Sequence, residues 1–339
     1  MKFFSPAIFF ALVLSSNFVF AEQNSLAQPP VKSQSALQLI EQLQSSFVSR
    51  NYELSFIKTR QGAIEPMRYI HGLVDDVEVA HLLNLNGPAQ ESVYRDLRVA
   101  YFEQGQPPYS VEASRLSSLF SSIAKIDLDQ LQHSYELVIA GKSRVAGRAS
   151  QVIRVLPKNK DRYAVFLWID YQTSLPIRID LVDSNGELIE QYMAVTLIDF
   201  SSPTEWMYEL ASIELPAVIS SKTKIEDQFA TDLDWELTWM PEGMVILTDP
   251  GQRISSVEDS VDHQRMSDGL FDISVYVNKL DDKARIKPQL VRQGATTLHI
   301  QLIQGREVTV VGEVPPETAS KIANSIRFST SSKRVKSGS

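Results

Sequence analysis

The chain has 339 residues, 43% of them hydrophobic and 22% charged, an ordinary globular composition whose length predicts two domains. A formal net charge of -8 and a pI near 5.3 come with no large basic block, which argues against a nucleic-acid partner, since binding DNA requires phosphate-neutralising Lys and Arg. There is no cysteine, which excludes disulfides, thiolate metal sites, cysteine nucleophiles and acylation of the lipoprotein type.

Lys2, the largely apolar run Phe3 to Leu14, and Val19 and Ala21 at the -3 and -1 positions predict a secretory signal over 1–21, cleaved after Ala21. An uncleaved anchor is the alternative, but the run is short against the ~20 residues a span requires. The remaining chain is expected to be soluble and periplasmic. Residues 22–34, polar and carrying Pro29 and Pro30, predict a flexible lead-in.

Leu37, Ile40, Leu43 and Phe47 recur at helical spacing behind Ser35, a good N-cap. Tyr52, Leu54 and Phe56, then Met67, Tyr69 and His71, alternate with polar neighbours about a turn at Gly62 and predict a hairpin. Val93 to Phe102 reads as a further strand. Arg115 to Ala124 changes period: Leu116, Leu119, Phe120 and Ile123 share one helical face and four serines the other, so this helix needs tertiary support and is a candidate lid. Strands follow at Tyr135–Ile139, Gly147–Leu156, Tyr163–Tyr171, Ile177–Val182 and Leu188–Ile198, the last pair joined by a turn at Asn185-Gly186 expected to be type I′. The first domain, 35–200, is therefore a helix followed by a large, curved, mostly antiparallel sheet. Residues 201–231, with Pro203 and Pro216, predict a linker holding a short helix. In 232–328, Trp235, Leu237 and Trp239 alternate, Phe271, Ile273, Val275 and Val277 share a strand face, Leu298–Ile303 and Glu307–Gly312 form a hairpin, and Pro316–Ile326 is a helix. This is a smaller α+β domain, with a disordered tail over 329–339. The fold class is α+β throughout.

Chemistry-bearing motifs are sparse. His71, His81, His133, His263 and His299 never stand at H-x-x-x-H spacing, and no metal site is expected. Nucleophile elbow, P-loop and dinucleotide fingerprint are lacking. Asp183-Ser-Asn-Gly186 superficially resembles the start of a calcium loop but lacks the later ligands. Neither a cofactor nor catalysis is expected. The informative strand is Tyr163–Tyr171, in which Val165, Leu167 and Ile169 face one way and Ala164, Phe166 and Trp168 the other. Two apolar faces both need cover. Either the first helix covers the second face, or the curved sheet holds an apolar cavity, closed in part by the 116–123 helix, that takes up acyl chains.

Five strings, in this order, resemble the RseB/MucB family: Asn51-Tyr-Glu-Leu-Ser-Phe-Ile57, Gln151-Val-Ile-Arg-Val155, Leu175-Pro-Ile-Arg-Ile-Asp-Leu181, Ser267-Asp-Gly-Leu-Phe271 and Val310-Val-Gly-Glu-Val-Pro-Pro-Glu-Thr-Ala319. The resemblance runs from about Ser35 to Phe328. It implies a first domain like the open antiparallel β-barrels of the LolA and LolB lipoprotein carriers, and a second domain holding the main partner contact. That partner would be the periplasmic segment of a single-span anti-sigma factor of the RseA/MucA type, shielded from regulated proteolysis until a lipid or lipopolysaccharide-like ligand causes release. The alternative is a lipid or lipoprotein carrier of the LolA type. Candidate acyl-binding residues are Leu116, Leu119, Phe120, Phe166 and Trp168, taken as inward-facing. Candidate partner-binding residues are Trp235, Trp239, Arg265, Phe271 and Tyr276. A homo-oligomer is left open.

Overall fold

The computed structural model describes residues 34–116, 118–218, 233–247, 252–255, 260–280 and 286–329. The signal segment, the lead-in up to residue 33, the linker beyond residue 218 and the tail beyond Ser329 lie outside these residues. In chain order the first part comprises α1 (Ala36–Ser49), β1 (Asn51–Arg60), β2 (Ala63–Val74), β3 (Val77–Asn84), β4 (Gln90–Arg95), β5 (Arg98–Glu103), β6 (Tyr109–Glu112), α2 (Leu119–Ala124), α3 (Leu128–Ser134), β7 (Tyr135–Val145), β8 (Arg148–Pro157), β9 (Ala164–Asp170), β10 (Pro176–Val182), β11 (Leu188–Phe200) and α4 (Glu205–Ser212). The second comprises β12 (Trp235–Leu237), β13 (Val245–Ile246), β14 (Gln252–Ser255), β15 (Ser260–Ser267), β16 (Asp272–Lys279), β17 (Gln289–Gln293), β18 (Thr296–Ile303), β19 (Arg306–Glu313), α5 (Pro316–Asn324) and β20 (Ile326–Phe328).

α1 starts in a capping box: Gln38 N–H donates to the Ser35 hydroxyl at 3.2 Å and Ser35 N–H to the Gln38 side chain at 2.9 Å. Its apolar face, Ile40, Leu43 and Phe47, is buried. The eleven strands of the first sheet run in the order β6-β5-β4-β3-β2-β1-β11-β10-β9-β8-β7, with β1 joining the two halves by antiparallel pairing to β2 and β11. α1 packs against both β2 and β7, which lie far apart in that order, so the sheet curls around the helix. Tyr52, Leu54 and Phe56 of β1, Val165, Leu167 and Ile169 of β9, and Ile177, Ile179 and Leu181 of β10 close the core beneath α1 and α2.

α4, in the segment read as a linker, packs on the outer face of β2 and β3, where Met207 and Leu210 join Ile70, Val79 and Val93 in a second cluster. Arg95 donates to the last α4 carbonyls, Leu210 at 3.0 Å and Ala211 at 2.7 Å, supplying the C-terminal cap the sequence lacks. The chain then crosses to β6, where Ser110 N–H donates to Ala217 O at 3.1 Å and a parallel bridge joins Ser110 to Val218. The backbone edge of β6 is thereby covered.

Three local expectations change. The 115–124 helix is shorter, because Ser118 takes the Ser121 N–H on its hydroxyl at 3.2 Å and caps α2 there; α3, capped by Asp127, carries no expectation from the sequence. The 93–102 strand is two, broken by a turn at Asp96 and Leu97 with φ of 52° and 58°. At Asn185-Gly186 only Gly186 has positive φ, so the turn is not type I′. The Asp183 carboxylate shapes it by accepting from Asn185 N–H at 2.8 Å and Glu187 N–H at 2.9 Å.

The second sheet runs β13-β15-β16-β19-β18-β17, with β14 also on β15, and α5 packs on β18 and β19. Ile273, Val275, Val277, Val308 and Val310 form its core with Ala319, Ile322 and Ala323 of α5. β12 and β20 pair separately, and the Asp234 carboxylate beside them takes Arg306 at 2.7 Å and Lys279 at 3.2 Å. No helix among the described residues is long and apolar enough to cross a membrane.

Candidate functional site

Two of the five strings that carry the family resemblance form the joint between the sheets. Asp268 of Ser267–Phe271 is wholly buried. One oxygen accepts the Leu270 and Phe271 backbone N–H groups at 3.0 and 2.9 Å. The other accepts Arg162 Nε at 2.7 Å and the Tyr135 hydroxyl at 2.9 Å, both from the first domain. Arg162 also donates to Glu242 O. In the 310–319 string, Val314 O accepts the Tyr163 hydroxyl at 3.1 Å and Thr318 donates to Asp161 O at 3.1 Å. Leu270, Phe271 and Ala295 belong to the core of the first sheet, not the second.

Beside this joint lies a cleft of about 910 Å³. Lys58, Glu190, Tyr192, Leu116, Leu119 and Lys125 line one side; Val245, Leu247, Arg265, Phe271, Asp272 and Glu313 line the other. Apolar and charged groups of both signs are mixed along both walls. Glu190 is the central tie: it accepts the Ala295 N–H at 3.2 Å and the Tyr192 hydroxyl at 2.6 Å, and pairs with Lys58 at 3.1 Å. Burial pushes the Glu313 carboxyl above the usual range, and the nearby Asp272 and Glu190 push it further. Such a cleft suits a peptide segment with both apolar and charged side chains better than a small polar substrate.

Of the acyl candidates, Leu116 and Leu119 line the cleft and Phe120 is buried inside the curled sheet. Phe120 stands edge-on to Phe56 at 4.9 Å and to Tyr192 at 5.6 Å. The inward assignment of Phe166 and Trp168 is corrected: the buried row of β9 is Val165, Leu167 and Ile169. Phe166 and Trp168 lie in the alternate row, where Arg154 and Arg178 cover their rings at 5.0 and 4.2 Å. Both rings are thus half-buried under guanidinium groups of the neighbouring strands.

Of the partner candidates, Arg265 and Phe271 line the cleft. Trp235 is core, its indole N–H donating to Asp262 at 3.3 Å. Trp239 is half-buried with Lys321 over its ring at 3.7 Å, and Tyr276 stacks on His263 at 4.5 Å, both away from the cleft. Sequence reasoning missed Arg162, Tyr135 and Glu190. The one available signal is an arginine beside the inward Tyr163 at the mouth of a strand. Among the described residues, no group of three or more His, Asp or Glu side chains is placed to hold a metal.

A family model described as the MucB/RseB N-terminal domain matches residues 35–219, and one described as the MucB/RseB C-terminal domain matches 230–327. The sigma-E factor regulatory protein RseB of Salmonella typhimurium is 31% identical, over 95% of this chain and 98% of that protein. The sigma factor AlgU regulatory protein MucB of Pseudomonas aeruginosa is 29% identical, over 89% of this chain and 94% of its own. The solved complex of Pseudomonas aeruginosa MucA and MucB matches with a TM-score of 0.67 at 26% identity, covering 87% of this chain and 99% of the matched chain. A crystal structure of MucB in complex with MucA(peri) matches equally, with a TM-score of 0.67. This chain belongs to the MucB/RseB family.

Proposed function

We propose that this protein is a periplasmic negative regulator that binds the periplasmic segment of an RseA/MucA-type anti-sigma factor in the cleft between its two sheets. Bound there, it shields the segment from regulated proteolysis, and it catalyses no reaction itself. Family membership and the MucA complexes of solved relatives support the partner. The observation that carries the site is the cleft itself, where Leu116, Leu119, Arg265 and Phe271 meet from both domains. Residues 1–21 direct export and are then removed by cleavage after Ala21.

Release is by a lipid or lipopolysaccharide-type ligand whose acyl chain enters the curled sheet. That interior is filled by Leu116, Phe120 and Ile123. Burying each contributes about 1.5–3 kcal/mol, against ~0.8 kcal/mol per acyl methylene, so roughly six to eleven buried methylenes match the three side chains. Long acyl chains therefore compete and short ones do not. The carrier reading is weaker, since a carrier has no use for a second sheet joined through a buried ion pair.

Hydrogen exchange on the full chain, with and without the cognate periplasmic segment, tests the site. Protection at 114–125 and 245–247 is expected. Protection confined to β9 and β10, where Trp168 and Arg178 lie, would place the partner elsewhere.

A further inference from the structure

α2 has two faces with different surroundings. Phe120, Ser121, Ile123 and Ala124 are buried within the curled sheet, whereas Ser118, Leu119 and Ser122 line the cleft. From Phe120 a continuous packed path leads to the second domain. Its ring meets Tyr192 edge-on at 5.6 Å, and the Tyr192 hydroxyl donates to Glu190 at 2.6 Å. Glu190 accepts the Ala295 N–H of the β17–β18 turn at 3.2 Å. α2 is also a weak element in its own right: six residues, two of them serine, held by the Ser118 cap.

We propose that α2 is the coupling element of this protein: docked, it is at once the plug of the barrel and a wall of the cleft, so an acyl chain and the partner peptide compete for its position without touching each other. The proposal rests on the reading that an acyl chain enters the sheet. An acyl chain needs the space of Phe120 and Ile123 and expels α2. Expulsion removes Leu119 and Ser122 from the cleft wall and the ring that supports Tyr192. The peptide binds the docked state, so each ligand weakens the other by the same factor.

The test uses the full processed chain, a palmitoylated peptide as acyl probe, and a labelled synthetic periplasmic segment of the cognate anti-sigma factor. Affinities for both are measured in the natural chain, in Phe120→Ala, and in Ser118→Ala, which loosens the cap while leaving the interior intact. A dye on Ser122→Cys, the only thiol in such a variant, reports α2 directly. The expected results are mutual weakening of about tenfold, a dye shift when the acyl probe binds, and tighter acyl but weaker peptide binding in both variants. An unmoved dye with the acyl probe bound, or variants that change acyl affinity and leave peptide affinity untouched, would overturn the coupling and leave lipid-driven release standing. No acyl binding by the natural chain would overturn both.

Discussion

Arg162 and Asp268 are 106 residues apart in sequence and 2.7 Å apart in space, with side chains 1% and 0% exposed. A charge pair sealed this completely is tolerable because the remaining polar atoms are met by Tyr135, by Glu242 O and by two backbone N–H groups of the 268–271 turn. Asp268→Ala leaves a buried guanidinium uncompensated. It is expected to cost about 3–5 kcal/mol in denaturant unfolding, whereas Tyr135→Phe costs about 1 kcal/mol. Equal, small costs for the two changes would mean that the joint is hydrated.

The close approach of β16 and β19 makes a second prediction. A Cβ at Gly312 would lie 2.5 Å from Asp272 O and 2.9 Å from the Ile273 Cα, both backbone atoms that cannot swing aside. Gly312→Ala is therefore expected to lower stability by about 1–3 kcal/mol through overpacking. An unchanged melting temperature would show that the two strands can part.

Glu313 makes a prediction with a sign. Its carboxyl is held above the ordinary value, by burial first and then by Asp272 and Glu190. The folded state thus binds its proton more readily than the unfolded chain, and stability falls as pH rises through the folded titration. Glu313→Gln is expected to melt higher than the natural chain at pH 7.5, with the margin shrinking as pH drops toward the unfolded carboxylate value. A margin that grew on acidification would contradict the burial argument.

Asp234 runs the other way. The Arg306 guanidinium, with Lys279 beside it, holds its carboxyl at about 2 against an ordinary 3.8, although partial burial opposes this. The stability it contributes is present above the ordinary value and is lost as pH falls toward about 2. Arg306→Gln is expected to raise the Asp234 pKa toward 3.8, read by NMR titration of the carboxyl carbon. No movement would assign the depression to Lys279 instead.

The sequence made the elements legible wherever one periodicity dominated, as in Ile40, Leu43 and Phe47 of α1 or Ile273, Val275 and Val277 of β16. It failed where both rows of a strand were apolar. Alternation separates Val165, Leu167 and Ile169 from Phe166 and Trp168 but does not say which row faces inward, because an arginine from a neighbouring strand can cover an aromatic ring as a helix can. Phe271 kept the alternation of Ile273 yet packs into the other core, since the Asp268 turn carries it across before β16 begins. Part of the cleft was legible, through Leu116, Leu119, Arg265 and Phe271. Its ties, Glu190 to Ala295 and Arg162 to Asp268, join residues more than a hundred positions apart and leave no local signature.

An anti-sigma segment held in the cleft between the sheets must touch both of its walls. The most direct test is its affinity for Leu119→Lys and Arg265→Glu, which alter opposite walls, beside Trp168→Ala on the outer face. At least about a tenfold loss, ~1.4 kcal/mol, is expected for each cleft change and none for Trp168→Ala. Full affinity in both cleft variants, with the loss falling on Trp168→Ala, would contradict binding in the cleft.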